Sequence, residues 1–298
     1  MQIDTAVIPV AGLGTRLLPV SAGVPKEMLP LGRKPALHYI AEELGRAGIS
    51  RIILVSSHAK EHMAKYFQLD SKLVNRLRDG NKHEIADSLW SSSPHCHIKF
   101  DIAIQHEQLG LGHAVLSARK DAGDQPFVVA LGDCVLGAGG GSDIVERMVK
   151  VSKESKAPIV LAFEQVPDEK VSRFGIATPA AGSTPVPGED FELAGLIEKP
   201  SLADAPSNLA ICGRYLLAPS IFHELEYAQR GLNGEYQLTD AINSLIENGT
   251  PARGVMLDPS EKRYDVGDFG TFTEAFIEFA LADDTLRDHV LKSVGENS

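Results

Sequence analysis

Four short segments hold the residues best suited to chemistry. The first is AGLGTRLLPVSAGVPKEMLP, residues 11–30, directly after an apolar run at 5–10. Gly12 and Gly14 let the backbone turn tightly, so that its N–H groups can face an anion. Arg16 adds a flat fork and Lys26 a mobile point charge, both suited to phosphate oxygens. Leu17 stands where the third glycine of a G-x-G-x-x-G fingerprint would be, and no Gly-Lys-Ser/Thr follows as in a Walker loop. Nicotinamide cofactors and P-loop chemistry therefore lose support. A glycine-rich turn alone is more often only a turn; the two cations on an acidic chain are what point to phosphate.

The second segment, LGDCV (131–135), offers Asp133 at the end of an apolar run, and the third, YDVGD (264–268), offers Asp265. Carboxylates so placed suit a hard cation such as Mg²⁺, which is held by one or two carboxylates plus substrate phosphate. Each could equally be a turn or cap residue. The fourth, LIEKP (196–200), closes an apolar strand with Glu198 and Lys199, a pair that in isolation reads as surface. His95, Cys96 and His97 could present two imidazoles on one strand face, but no further Cys or His lies at zinc-ligand spacing. Neither G-x-S-x-G nor H-E-x-x-H occurs, which removes the common serine-hydrolase and zinc-protease readings.

Apolar periodicity supplies the elements that must carry these residues. Strands are expected at 5–10, 51–56, 98–104 and 127–131, and helices at 35–47, 61–67 and 113–120, with a polar helical excursion over 71–91. This β-α-β-α order argues for a parallel sheet wrapped by helices, with ligands at the carboxyl ends of strands, after Val10, Ile104 and Leu131. The second half is less regular. Strands at 159–164, 175–178, 193–198 and 210–217 surround a Pro-, Gly- and Ser-rich loop at 179–190, and helices are expected at 221–228 and 239–247. A helix over 271–291 closes the chain. Its stripe of Phe272, Ala275, Phe276, Phe279 and Ala280 suits a subunit contact or packing on its own domain equally well.

Composition narrows the setting. The chain has 298 residues, 43% hydrophobic, enough for one large α/β unit or two domains with a core that needs no disulfides. No apolar run approaches the ~20 residues of a membrane span. The start, MQIDTAVIPV, lacks the basic stretch and apolar core of a signal peptide, and three distant cysteines fit a reducing cytoplasm. With 29 Lys+Arg against 40 Asp+Glu, the chain is a poor partner for nucleic acid or anionic membrane. Residues 13–38 are the local exception, with Arg16, Lys26, Arg33 and Lys34 against Glu27.

Taken in order, AGLGTRLLP…PKEMLPL, Gln105 with GLGHAV (110–115), LGD (131–133), FGI (174–176), IEKP (197–200), APSNLAICGRY (205–215), GEYQLTDAI (234–242) and KRYDVG (262–267) resemble the bacterial-type UTP–glucose-1-phosphate uridylyltransferases, within the sugar nucleotidyltransferases. The resemblance runs from about residue 5 to about residue 279. It implies a Rossmann-like α/β fold with a mixed, mostly parallel sheet flanked by helices. A nucleotidyltransferase domain at 1–268 and a C-terminal helical segment at 269–298 go with it. So do Mg²⁺, transfer of UMP from UTP to a sugar 1-phosphate, and a homodimer or homotetramer.

By the same resemblance, Ala11, Gly12 and Gly14 would lie against the nucleotide, and Gln105 and Gly110 would read the uracil edge. Arg16 and Lys26 would hold phosphates. Gly175, Glu198 and Lys199 would contact the sugar and its phosphate, and Asp133 and Asp265 would hold the metal. Four positions depart from the usual pattern. Ala22, Leu109 and Phe269 stand where relatives usually carry lysine, and Cys134 where they often carry a second acid. Each lost cation should weaken phosphate binding by about 1–3 kcal/mol.

Overall fold

The apolar runs become strands buried on both faces, and the amphipathic stretches become the helices that cover them. The computed structural model describes residues 2–57, 63–67, 71–91, 98–231 and 234–295. The first half comprises β1 (Thr5–Pro9), β2 (Pro30–Leu31), β3 (Lys34–Pro35), α1 (Ala36–Arg46), β4 (Arg51–Ser56), α2 (Met63–Tyr66), α3 (Ser71–Asp79), α4 (His83–Ser91), β5 (Lys99–Ile104), α5 (Leu111–Ser117), α6 (Arg119–Ala122), β6 (Phe127–Ala130), β7 (Cys134–Leu136) and α7 (Ile144–Ser155). The second comprises β8 (Ile159–Gln165), β9 (Gly175–Pro179), β10 (Asp190–Glu198), β11 (Leu209–Leu217), α8 (Ser220–Tyr227), α9 (Leu238–Glu247), β12 (Ala252–Met256), β13 (Arg263–Asp265), α10 (Phe269–Ala282) and α11 (Asp284–Gly295).

Nine strands form one sheet in the order β5-β4-β1-β6-β11-β8-β12-β10-β9. The expected parallel character holds across β5, β4, β1 and β6. Beyond β6 the sheet is mixed: β11 runs antiparallel to β6 and β8, β12 parallel to β8, and β10 antiparallel to β12 and β9. Successive side chains of β1 and β4 enter opposite layers. Ile8, Ile52 and Leu54 pack with α1, α7 and α10, while Val7, Ile53 and Val55 pack with the layer of α5, α8 and α9. Each such side chain contributes about 1.5–3 kcal/mol on full burial. Helix α1 follows Pro35, buries Leu37, Ile40, Ala41 and Leu44, and ends before Gly48, as its pattern predicts.

Several elements differ from expectation. The excursion after residue 70 is two helices, α3 and α4, parted by a turn in which Asn81 takes a left-handed φ of +56°. The closing helix is also two. Asp283 is extended between them, and its carboxylate accepts from the backbone N–H of Thr285 and Leu286 while pairing with Arg33 at 2.7 Å, so it begins a second helix. Of the predicted stripe, Ala275, Phe279 and Ala280 are buried, and Phe279 meets Tyr39 and Tyr264 edge-on at 4.9 and 5.0 Å. Phe276 is exposed. Helix α7 and strands β7, β12 and β13 were not among the expectations. Ile144, Val145, Met148 and Val149 do have helical spacing; β7 and β13 are too short for periodicity to mark, and in β12 Arg253 and Gly254 interrupt the apolar run. The first two residues of the helix expected at 61–67, and the His95-Cys96-His97 triplet, lie outside the described residues.

Candidate active site

The glycine-rich segment leaves β1 at the carboxyl edge of the sheet, as expected for a ligand loop. Leu17 is its buried anchor, and three single-turn 3₁₀ helices carry it to Met28. Gly14 has a left-handed φ of +63°, its carbonyl accepts from Ser21 at 2.8 Å, and a Cβ there would press on Ser21 at 3.2 Å. Facing this loop is the one that follows β5. Gln108 donates across to the Ala11 carbonyl at 2.8 Å, and the Gln105 amide nitrogen sits 3.1 Å from His113 Nδ1 and 3.4 Å from the Gly110 carbonyl. Gly110 has φ +95°, and a Cβ on it would stand 2.8 Å from Glu235 Cβ. The Tyr236 N–H donates to Leu109 O and its carbonyl accepts from Gly112 N–H, both at 2.8 Å, so the GEYQLTDAI segment braces this loop from behind. Between the two loops lies a cleft of about 400 Å³ whose lining includes Ala11, Gly12, Lys26, Gln105, Gly110 and Asp133.

Asp133 and Asp265 are brought side by side by a two-stranded ribbon. Strand β13 pairs antiparallel with β7, Asp265 stands opposite Cys134, and Val266 N–H donates to Asp133 O at 2.8 Å. Lys26 ion-pairs with Asp133. Burial works against the charge of Lys26, but Asp133 outweighs it and raises the ammonium pKa, so Lys26 stays a cation. Burial, and then the charge of Asp133, push the Asp265 pKa up, against the pull of Arg263, Lys26 and Arg16. Two adjacent carboxylates of which one is thus destabilised as an anion are a donor set that a divalent cation would relieve, and hard oxygens are what Mg²⁺ takes. Among the described residues no group of three or more His, Cys, Asp or Glu converges on a metal, so further donors would have to come from substrate and water.

A second cleft, of about 220 Å³, adjoins the first and shares Asp133 with it; its lining includes Gly175, Glu198, Lys199 and Asp265. Gly175 is held against β11 and α9 so closely that a Cβ would lie 2.9 Å from Ile211 Cδ1 and 3.1 Å from Thr239 Oγ1. Lys199 directly follows β10 in a left-handed conformation, φ +46°, uncommon for a residue with a side chain. Its N–H donates to Phe174 O at 2.9 Å, and its ammonium lies 3.1 Å from Glu198.

The structure therefore gathers the sequence-derived candidates around two joined clefts, with Gly14 and Arg16 beside them rather than in their lining. Arg16 is exposed and approaches within 3.5 Å of where a Cβ on Gly267 would be. Two cations in the second cleft, Arg173 and Arg263, were missed, as was the pair behind Asp133. Arg214 is fully buried, donates to both Glu43 oxygens at 2.9 and 2.8 Å, and reaches the Cys134 carbonyl at 2.9 Å. An arginine inside the apolar run LAICGRYLL was the available signal, since a buried charge needs a partner. Of the departures, Ala22 is exposed and Phe269 opens α10 at the surface. Cys134 is buried with its thiol donating to Cys212 O at 3.3 Å, and burial pushes its pKa to about 12, so it adds no anion to the site.

The nucleotidyl transferase family matches residues 5–280. A UTP–glucose-1-phosphate uridylyltransferase of Bacillus subtilis is 39% identical over 296 residues, covering 97% of this chain and 95% of its own. A UTP-bound UGPase from Acinetobacter baumannii superposes with a TM-score of 0.89 at 33% identity, with 100% of both chains covered. A UDP-glucose pyrophosphorylase complexed with UDP-glucose superposes at 0.82 with 30% identity over 95% of this chain and 100% of its own. The mixed nine-stranded sheet, the glycine-rich loop at its carboxyl edge and this agreement along the whole length lead to one conclusion: the chain belongs to the nucleotidyl transferase family, among the UTP–glucose-1-phosphate uridylyltransferases.

Proposed function

We propose that this protein transfers UMP from UTP to glucose 1-phosphate, giving UDP-glucose and pyrophosphate. The observation that carries the reading is the junction of two clefts at Asp133, one floored by the glycine-rich loop and the other by Gly175, Glu198 and Lys199. The first would take UTP, with Gln105 and the Gly110 backbone at the base and Gly12 and Gly14 beside the ribose and phosphates. The second would take the sugar phosphate, with Glu198 toward hydroxyls and Lys199 toward the phosphate. A sugar-phosphate oxygen then attacks the α-phosphorus in line as pyrophosphate leaves.

The residues have two tasks in this reaction: to align two polyanions and to offset charge as it builds. Lys26, kept protonated by Asp133, and Arg16 at the mouth supply cations on the phosphate side. Asp133 and Asp265 would hold Mg²⁺, which when bound supplies charge neutralisation between the two substrates. The alternative is a change of substrate rather than of chemistry, to another sugar 1-phosphate or to dTTP: thymine differs from uracil by one methyl, which a pocket separates only about 10- to 200-fold.

Assembly as a homodimer or homotetramer would use the outer side of α10 and α11, where Phe276, Ile277, Leu291 and Val294 are exposed; light scattering reads this directly. A cytoplasmic setting, where UTP is available, accords with the reading, and no helix among the described residues is long and apolar enough to cross a membrane. The deciding experiment is Mg²⁺-dependent pyrophosphate release with UTP, dTTP, CTP, ATP and GTP crossed against glucose, galactose and N-acetylglucosamine 1-phosphates. Turnover confined to UTP with glucose 1-phosphate is the expected result. Turnover with another pair keeps the mechanism and changes the substrate. Binding of UTP without turnover on any pair would overturn the reading in favour of a regulatory paralogue.

A further inference from the structure

Arg263 has no role in the reaction as described, yet its side chain is largely buried in the wall of the second cleft. Three contacts fix its guanidinium. Nε pairs with Glu164 near the end of β8, Nη1 lies 3.4 Å from Asp265 Oδ2, and Cζ stands 4.6 Å from the centre of the Phe174 ring. Phe174 in turn accepts the backbone N–H of Lys199, the residue held in a left-handed conformation. A continuous series of contacts thus runs from Asp265 through Arg263 and Phe174 to Lys199. Neutralising Glu164 would require only a positive charge. Standing over an aromatic ring while reaching two carboxylates suits the planar fork of arginine better than the point charge of lysine.

We propose that Arg263 is a positioning residue for the sugar-phosphate half of the site. It holds the Phe174 shelf, and through it the Lys199 backbone, in register with Asp265. The inference rests on the reading of the second cleft as the sugar-phosphate site. It also predicts independence: Gln105 bonds Gly110 and His113 rather than any member of this series, so nucleotide binding alone does not need Arg263.

The test compares UMP, which occupies only the nucleotide half, with UDP-glucose, which occupies both, by titration calorimetry of the full chain in EDTA. Wild type should bind UDP-glucose more tightly than UMP. Arg263→Lys, which keeps the charge beside Glu164, should weaken UDP-glucose about tenfold, a change of about 1.4 kcal/mol, and leave UMP within about twofold. Phe174→Leu, which removes the ring and keeps the arginine, should weaken UDP-glucose in the same direction but less, and it remains the decisive arm if Arg263→Lys does not fold. Equal losses for both ligands, or none, in a folded variant would overturn the inference alone. Wild type that gains nothing from the glucosyl phosphate would overturn the reading of the cleft, and the inference with it.

Discussion

In the proposed nucleotide half of the site, Gly12, Lys26, Gln105 and Gly110 stand on loops leaving the parallel strands β1 and β5, at the sheet edge where such folds place their ligands. In the proposed sugar half, Gly175 and Glu198 face each other across the antiparallel pair β9–β10, Lys199 follows in a strained conformation, and Asp265 arrives on the ribbon β7–β13. One half is assembled by loops that carry their own glycines and cations. The other is assembled by pairing of distant strands, with backbone strain and an ion-paired arginine holding the result. Asp133, on the turn between β6 and β7, lines both clefts. The lesson is that one metal-ligand candidate can join a locally encoded subsite to one that exists only after the sheet has formed.

The largest effect should come from the buried ion pair beneath the turn that carries Asp133. Arg214→Met strands Glu43 as a buried charge and removes the donor from the Cys134 carbonyl; breaking such a pair costs about 3–5 kcal/mol in stability, read by denaturant unfolding. Adding Glu43→Leu should return much of that loss, because the stranded charge goes with it. A single variant of unchanged stability would mean that the pair does not support the turn that carries Asp133.

Asp133→Ala comes next. Turnover should fall by about 10²–10³-fold, with a smaller cost to the melting temperature because Lys26 loses its ion-pair partner. Near-normal activity would remove Asp133 from the mechanism and with it the junction between the halves. The separation itself is then tested by Lys199→Ala, which should raise KM for glucose 1-phosphate with a cost of about 1–3 kcal/mol and spare UTP. Equal effects on the two substrates would erase the distinction.

The smallest effect concerns the floor beneath the clefts. Cys134 has a buried thiol whose pKa is pushed to about 12, so near neutral pH the reactive thiolate is absent and the native protein should leave Cys134 unalkylated, as peptide mass mapping would reveal. Modification should begin only when the protein is unfolded. Rapid labelling of the native protein would show that the floor opens.

Local sequence was sufficient where local forces decide. The run RIILVS had to be a strand buried on both faces, and α1 was framed by Pro35 and Gly48 because proline opens helices and glycine closes them. The loop at 11–30 carried Gly14 and Lys26 within one segment, so it could be picked out as a candidate anion-binding loop without any distant partner. The helix break at Asp283 could not, because the apolar stripe continues past it and only the meeting with Arg33 and the caps of α11 shows why the helix stops there.

What tertiary structure alone decided is which remote charges meet. Asp265 was a candidate by type, but its place beside Asp133 follows from the register of β13 on β7. Arg214 and Glu43 lie 171 residues apart, and Arg263 finds Glu164 and Phe174 only because β8, β9 and β13 converge at one edge of the cleft. The physical reason is one of range. Backbone preference and side-chain periodicity act over a few residues, whereas the pairing of buried charges depends on strand order, which the whole chain fixes when it closes its two apolar layers around the sheet.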